Sequence, residues 1–295
     1  MIPLPPDEVA WAAQLACILE LDAWKPGNVS KTYDFADCRF EDFLASAVAI
    51  GPAFREAARS PVGKTILQAV RDTRRLVGTN TNLGIAIALA PLAKAAGTGH
   101  PDGLRAAVVD VLEGLTVEDA RMVYEAIRFA VPAGLGKVER CDVYEGDPEV
   151  TLRAAMELAR DRDALASEYV TGFELTFEVG YATLLKLWEV GCRLSDSILQ
   201  TFLTILARVP DSLIARKNGP AAAEHVSGLA LSVLEDGGVF SEKGFGEMKK
   251  LDLALRDERH RMNPGTTADL VAAAIFVLFV EGRMLKRFKD VLQRW

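Results

Sequence analysis

Apolar residues recur along almost the whole chain at the three- and four-residue spacing of an α-helix, and strand-like alternation is nearly absent. This periodicity constrains the fold most. It predicts an all-α chain of about a dozen helices, with no repeat of fixed period and no linker polar enough to divide it, so residues 1–295 read as a single multi-helical domain. Asp7 caps a first helix whose stripe runs through Val9, Ala12, Ala13, Ala16 and Leu19, and Pro26-Gly27 ends it. Further helices are predicted over about Phe40–Ala57, Val62–Leu76 and from Asn80 or Thr81 to Ala96, with another opening at Pro101-Asp102. Thr116 and Asp119 have the spacing of a capping box for a helix to Ala130, and Asp147-Pro148 opens the next. The second half reads as helices over 174–190, 194–207, 220–235, 246–258 and 266–288. Residues 131–148 read as a loop, within which Val138–Tyr144 is either a short strand or irregular.

Composition narrows the function. Half the residues are apolar, which excludes intrinsic disorder, and the formal net charge of −7 argues against general nucleic-acid binding. Cys17, Cys38, Cys141 and Cys192 are dispersed, as are His100, His225 and His260, so neither a disulfide framework nor a histidine-rich metal site is expected. The longest apolar run, Leu270–Val280, is too short to span a bilayer and reads as a core helix. No signal peptide is recognised at the N-terminus, and a soluble cytoplasmic protein without membrane contacts is expected. The apolar content also makes a homodimer an expectation.

Four short polar segments break the helical pattern, each at a predicted helix end: Lys25–Ser30, Gly78–Gly84, Pro210–Gly219 and Asn263–Asp269. Singly, each reads as a turn or cap. Together they bring helix N-termini, small hydroxyls, cations and carboxylates, which is the chemistry of an anion and Mg²⁺ site.

In this order and spacing the segments resemble the triphosphoribosyl-dephospho-CoA synthase family. The matching motifs are Lys25-Pro26-Gly27-Asn28-Val29, Phe43-Leu44-Ala45-Ser46, Asn80-Thr81-Asn82-Leu83-Gly84, Asp211-Ser212 with Arg216 to Gly219, and Pro264-Gly265-Thr266-Thr267-Ala268-Asp269-Leu270. The resemblance spans about residues 8–280. It implies an all-helical transferase that displaces adenine from ATP and transfers the 5-triphosphoribosyl group to a hydroxyl of 3′-dephospho-CoA or a related acceptor, in prosthetic-group biosynthesis. The sequence departs from the family pattern at several places. Lys31–Cys38 stands where a Gly-Ala-His-x-Asp-Met segment is usual, Asn82-Leu83 where His-Lys is usual, and Ala215–Gly219 where Ser-Arg-Gly-Gly is usual. An Arg-Gly-Glu-Ala segment has no counterpart, the nearest stretch being Gly136–Arg140. Two other readings stay open: a nucleotide-dependent enzyme of one-carbon carrier (tetrahydromethanopterin or methanofuran type) cofactor biosynthesis, and a non-catalytic helical scaffold.

Cleaving a ribose–adenine bond builds positive charge at the anomeric carbon, which a carboxylate stabilises, and the attacking hydroxyl needs a general base. Asp211 and Asp269 are the expected catalytic acids and Mg²⁺ ligands, with Glu174 as a third ligand. Glu174 and Glu178 share a face if their segment is helical, and Glu168 lies just before them. Asp269 is placed in the first turn of an apolar helix. Asp34 and Asp37 compete for a further catalytic position, with Asp37 preferred. Lys25, Arg216 and Lys217 are expected to bind phosphates. Gly27, Asn80, Thr81, Asn82, Gly84, Gly265 and Thr266 are expected to line the nucleotide site, within reach of His260.

Overall fold

The computed structural model describes residues 1–132, 134–138, 140–282 and 293. Its helices follow the predicted periodicity: α1 Pro6–Asp22, α2 Phe40–Ala49, α3 Gly51–Arg55, α4 Val62–Val77, α5 Leu83–Thr98, α6 Leu104–Glu113 and α7 Val117–Ala130. The second half supplies α8 Leu152–Glu157, α9 Ala164–Thr171, a π-helical turn Leu175–Tyr181, α10 Ala182–Glu189 and α11 Leu194–Arg208. Then come α12 Ser212–Asn218, α13 Pro220–Glu235, a 3-10 turn Gly238–Phe240, α14 Glu242–Leu255 and α15 Gly265–Glu281. The all-α reading holds: among the described residues the only β-type pairing is an isolated bridge between Ser30 and Tyr33.

Two helices form the centre. In α15, 14 of 17 residues are buried, and in α5, 12 of 16. A helix apolar on every side is stable in water only when other elements cover it all round. α15 packs against α1, α5, α11 and the π-helical turn, while α4 pairs with α7 and α11 with α13 on the flanks. Each fully buried large side chain on α15, such as Ile275 or Phe276, contributes about 1.5–3 kcal/mol. No single helix among the described residues is long and apolar enough to cross a membrane.

The capping box forms as its spacing predicts, Thr116 Oγ1 accepting from the Asp119 N–H at 3.1 Å and Asp119 Oδ2 from the Thr116 N–H at 3.0 Å. Elsewhere the boundaries move. The predicted helix over 40–57 breaks at Ile50, where Pro52, with no N–H to donate, enters the next helix. Asp147 opens no helix. It pairs with Arg128 at 2.8 Å, and α8 starts later under a Thr151 cap. The segment 138–144 is irregular at its described residues. The predicted helix over 174–190 begins as the π-helical turn, set up by left-handed Gly172 (φ +70°) and Phe173 (φ +60°). Buried Glu168 caps that turn, accepting from the N–H groups of Leu175 and Thr176 at 2.9 Å each. Burial pushes the Glu168 carboxyl up to about 7 against the pull of those bonds. α9 and α12 are helices the sequence pattern did not separate from their loops. Positions 283–288 of the last predicted helix lie outside the described residues.

Candidate active site

The C-terminal end of α1 and the N-terminal ends of α5 and α15 meet at the floor of a cavity of about 1050 Å³. One wall is apolar, built by Val123 and Ile127 of α7, Met156 of α8 and Leu165 of α9. The opposite wall and rim are charged. Among the described residues, eight Lys and Arg side chains line the cavity against five Asp and Glu, so this lining is cationic in an acidic protein. That local reversal is what an anionic ligand needs.

Asp269 lies on the floor. It is the fifth residue of α15, past the first turn in which the sequence reading placed it, so complementing the helix dipole does not explain it. Its carboxyl is held well above the usual carboxylate range, first by burial, then by the charges of Glu20 and Asp211. The second residue of α5, Gly84, backs directly onto it: a Cβ at Gly84 would stand 1.9 Å from Asp269 Oδ2. Gly84→Ala would favour the helix by about 1 kcal/mol but must displace the carboxylate. The expected result is a melting temperature within a few degrees of the parent and a turnover at least about 10-fold lower, read by any product assay and equivalent to about 1.4 kcal/mol of barrier.

Glu20, in the last turn of α1, is the acid the sequence reading missed. Its signal was there: a carboxylate within the apolar run Ala16–Leu21. Lys25 folds back onto it at 2.9 Å, both side chains nearly inaccessible, and also donates to the carbonyls of Ala23 at 2.7 Å and Glu20. Three acceptors use all three ammonium protons. Lys25 is therefore the counter-ion of Glu20 and not the phosphate ligand expected of it.

Asp211 is also corrected. It is 2% exposed and does not line the cavity. Its Oδ1 accepts from the N–H groups of Leu213 and Ile214 at 2.9 and 3.0 Å, capping α12, and its Oδ2 accepts from Thr267 N–H and Oγ1 at 2.7 and 2.8 Å. Four donors on two oxygens make it a brace between α12 and α15. Glu174 is exposed at the head of the π-helical turn, outside the cavity. Asp211, Asp269 and Glu174 thus form no common site, and no group of three or more His, Cys, Asp or Glu among the described residues is placed to hold a metal ion. Gly27 also lies off the cavity. It has φ +74°, its N–H bonds Asp252 Oδ1 at 2.8 Å, and a Cβ there would stand 2.9 Å from Leu255 Cβ, so its role is packing.

The Asn-Thr-Asn segment does line the cavity. Asn80 Oδ1 accepts from the Leu83 N–H at 3.2 Å, and α5 begins at Leu83, later than Asn80 or Thr81, with Asn82 at its N-cap making no side-chain cap bond. Thr81 is hydroxyl-bonded to Ser46, and the Asn82 amide turns inward to Thr73 Oγ1 at 2.9 Å. Gly265 and Thr266 line the floor beside Asp269.

At the rim Arg216 donates to Asp163 Oδ2 at 2.5 Å, while its buried Nε–H has no partner. Asp163 is itself fixed as the cap of α9. Lys217 donates to the His260 carbonyl at 3.2 Å, and burial, then Arg216, lowers its pKa. Asp37 is exposed beside it at the mouth. His260 Nε2 accepts from the Ala36 N–H at 2.9 Å and its ring stacks on Phe35 at 3.9 Å, pinning the 30–38 loop to the 256–263 loop. Arg74, Arg259 and Arg261, which like Asp163 carried no sequence signal, are also part of the charged lining.

This frame has known counterparts. The sequence pattern of the ATP:dephospho-CoA triphosphoribosyl transferase family matches residues 6–288. The chain belongs to this family. Every cavity-lining position falls within the match to the triphosphoribosyl transferase pattern. A solved structure from Archaeoglobus fulgidus that bears the name "putative triphosphoribosyl-dephospho-coA synthase" superposes with a TM-score of 0.64 at 28% identity, covering 81% of this chain and 99% of that one. Two curated relatives bear the name "Probable 2-(5''-triphosphoribosyl)-3'-dephosphocoenzyme-A synthase". The one from Malonomonas rubra is 30% identical over 87 residues, 30% of this chain and 27% of its own length. The one from Acinetobacter calcoaceticus is 25% identical over 114 residues, 39% of this chain and 38% of its own length. These matches therefore span well under half of either relative.

Proposed function

We propose that the cavity binds ATP and a hydroxyl acceptor of the 3′-dephospho-CoA type together, and transfers the 5-triphosphoribosyl group from one to the other with release of adenine. The observation that carries this reading is the pairing of a cation-lined wall with two acids on the floor, buried Glu20 and half-buried Asp269, in a chain of the triphosphoribosyl transferase family. The cations suit a triphosphate, and a pair of acids suits the acid–base work of opening a glycosidic bond, in which positive charge builds at C1″. The cavity volume lies at the upper end of the range for single small-ligand sites, as two adjoining ligands require. With the expected carboxylate triad not assembled, Mg²⁺ enters this reading as the ion carried by the triphosphate oxygens and water. The setting inferred for it is the cytoplasm, where ATP and the acceptor are made.

Incubation with ATP, Mg²⁺ and dephospho-CoA is expected to release free adenine. No adenine and no ATP-induced rise in melting temperature would overturn the reading. Adenine release only with another hydroxyl acceptor would reassign the acceptor and leave the donor half standing. Arg216→Ala is expected to raise the KM for ATP about 10-fold, the loss of one charge-assisted bond, with kcat changed less.

A further inference from the structure

The two floor carboxylates have opposite surroundings. Glu20 has the Lys25 ammonium at 2.9 Å as its counter-ion. Asp269 has no Lys, Arg or His nitrogen within ion-pair distance among the described residues. The groups that act on it electrostatically are Glu20 from α1, Asp211 and Arg216 from the cap and body of α12, and Asp163 from the cap of α9, and it in turn acts on the buried Cys17 thiol of α1. Three of the four are acids, and the one cation, Arg216, is already paired with Asp163. The Gly84 backbone pressed against Asp269 fixes the carboxyl in place while part of it faces the cavity. Neighbouring acids with such unequal partners divide into a proton donor and an ionised group.

Resting on the transferase reading above, we propose that Asp269 is the general acid that protonates the departing adenine, and that Glu20 is its ionised counterpart. The N9–C1″ bond breaks with its electron pair going to the base. The Asp269 carboxyl proton moves to a purine ring nitrogen, so adenine leaves neutral. The acceptor oxygen bonds to C1″ and its hydroxyl proton passes to Glu20. Proton exchange with cavity water then restores protonated Asp269 and ionised Glu20, so the net reaction consumes and releases no proton.

The test compares the parent and Asp269→Asn on two donors: ATP, and ATP methylated at purine N7, whose base is already cationic and needs no proton to leave. Asn keeps the shape and removes only the acid, and melting curves check the fold. On ATP the variant is expected to lose at least about 100-fold in kcat. On the methylated donor the defect is expected to shrink to at most about fivefold, because the missing proton is no longer required. Equal losses on both donors would mean a positioning role, and no loss on ATP would mean no role; either overturns the assignment. A parent enzyme that releases base from neither donor overturns the transferase reading itself, and the assignment with it.

Discussion

Lys25→Met is expected to lower stability by about 4 kcal/mol, within the range for breaking one partner of a buried ion pair. Lys25 is 1% exposed and Glu20 6%, so the substitution leaves a carboxylate without its cation and with little access to water. It also removes the donor to two carbonyls at the end of α1. The damage is specific to the unpaired charge. The double variant Glu20→Gln, Lys25→Met removes that charge and is expected to recover more than half of the loss, since buried pairs are often replaceable by neutral groups. Urea unfolding midpoints at neutral pH measure both. A single variant within about 1 kcal/mol of the parent, or a double variant no better than the single, would show that the pair is not what holds this corner.

Asp211→Ala is expected to cost about 3 kcal/mol. About 1 kcal/mol is the lost cap of α12, and the rest is the buried Thr267 N–H and hydroxyl left without their acceptor. Asp211→Asn should fall between, because an amide keeps one acceptor oxygen but turns an NH₂ group on the other donor set. Activity falls with the stability, since Asp269 lies two residues beyond Thr267 on the same helix end. If Asp211 were a metal ligand, stability would hold while the Mg²⁺ dependence of turnover changed. Denaturation curves measured beside adenine release separate the two.

These two residues show where sequence reasoning stops. An aspartate before a short helix has the same local signature whether it caps that helix or binds a ligand, and only the position of Thr267, brought from elsewhere in the chain, decides it. Lys25 stands in a polar turn and reads as available. Nothing in its spacing shows that the chain bends back to Glu20. Regular features were legible: the stripes of α1 and α4, the Thr116–Asp119 capping box and the apolar α15 follow from side-chain period and local hydrogen bonding. The π-helical turn was not, because it depends on Glu168, seven residues before Leu175, to accept its first N–H groups. Gly84 and Asp269 were both read as site residues from their motifs, and the structure adds that they touch.

The packing of α1 against α15 has a temporal consequence. Glu20 and Asp269 are separated by nearly the whole chain, with Gly84 and Arg216 between. During synthesis the cavity floor cannot exist until α15 has left the ribosome and docked against α1. Such long-range closure is slow compared with the local helices that precede it. A nucleotide that binds only the closed cavity therefore stabilises chains in which α15 has docked and none that stop before it, so nucleotide occupancy reports that docking.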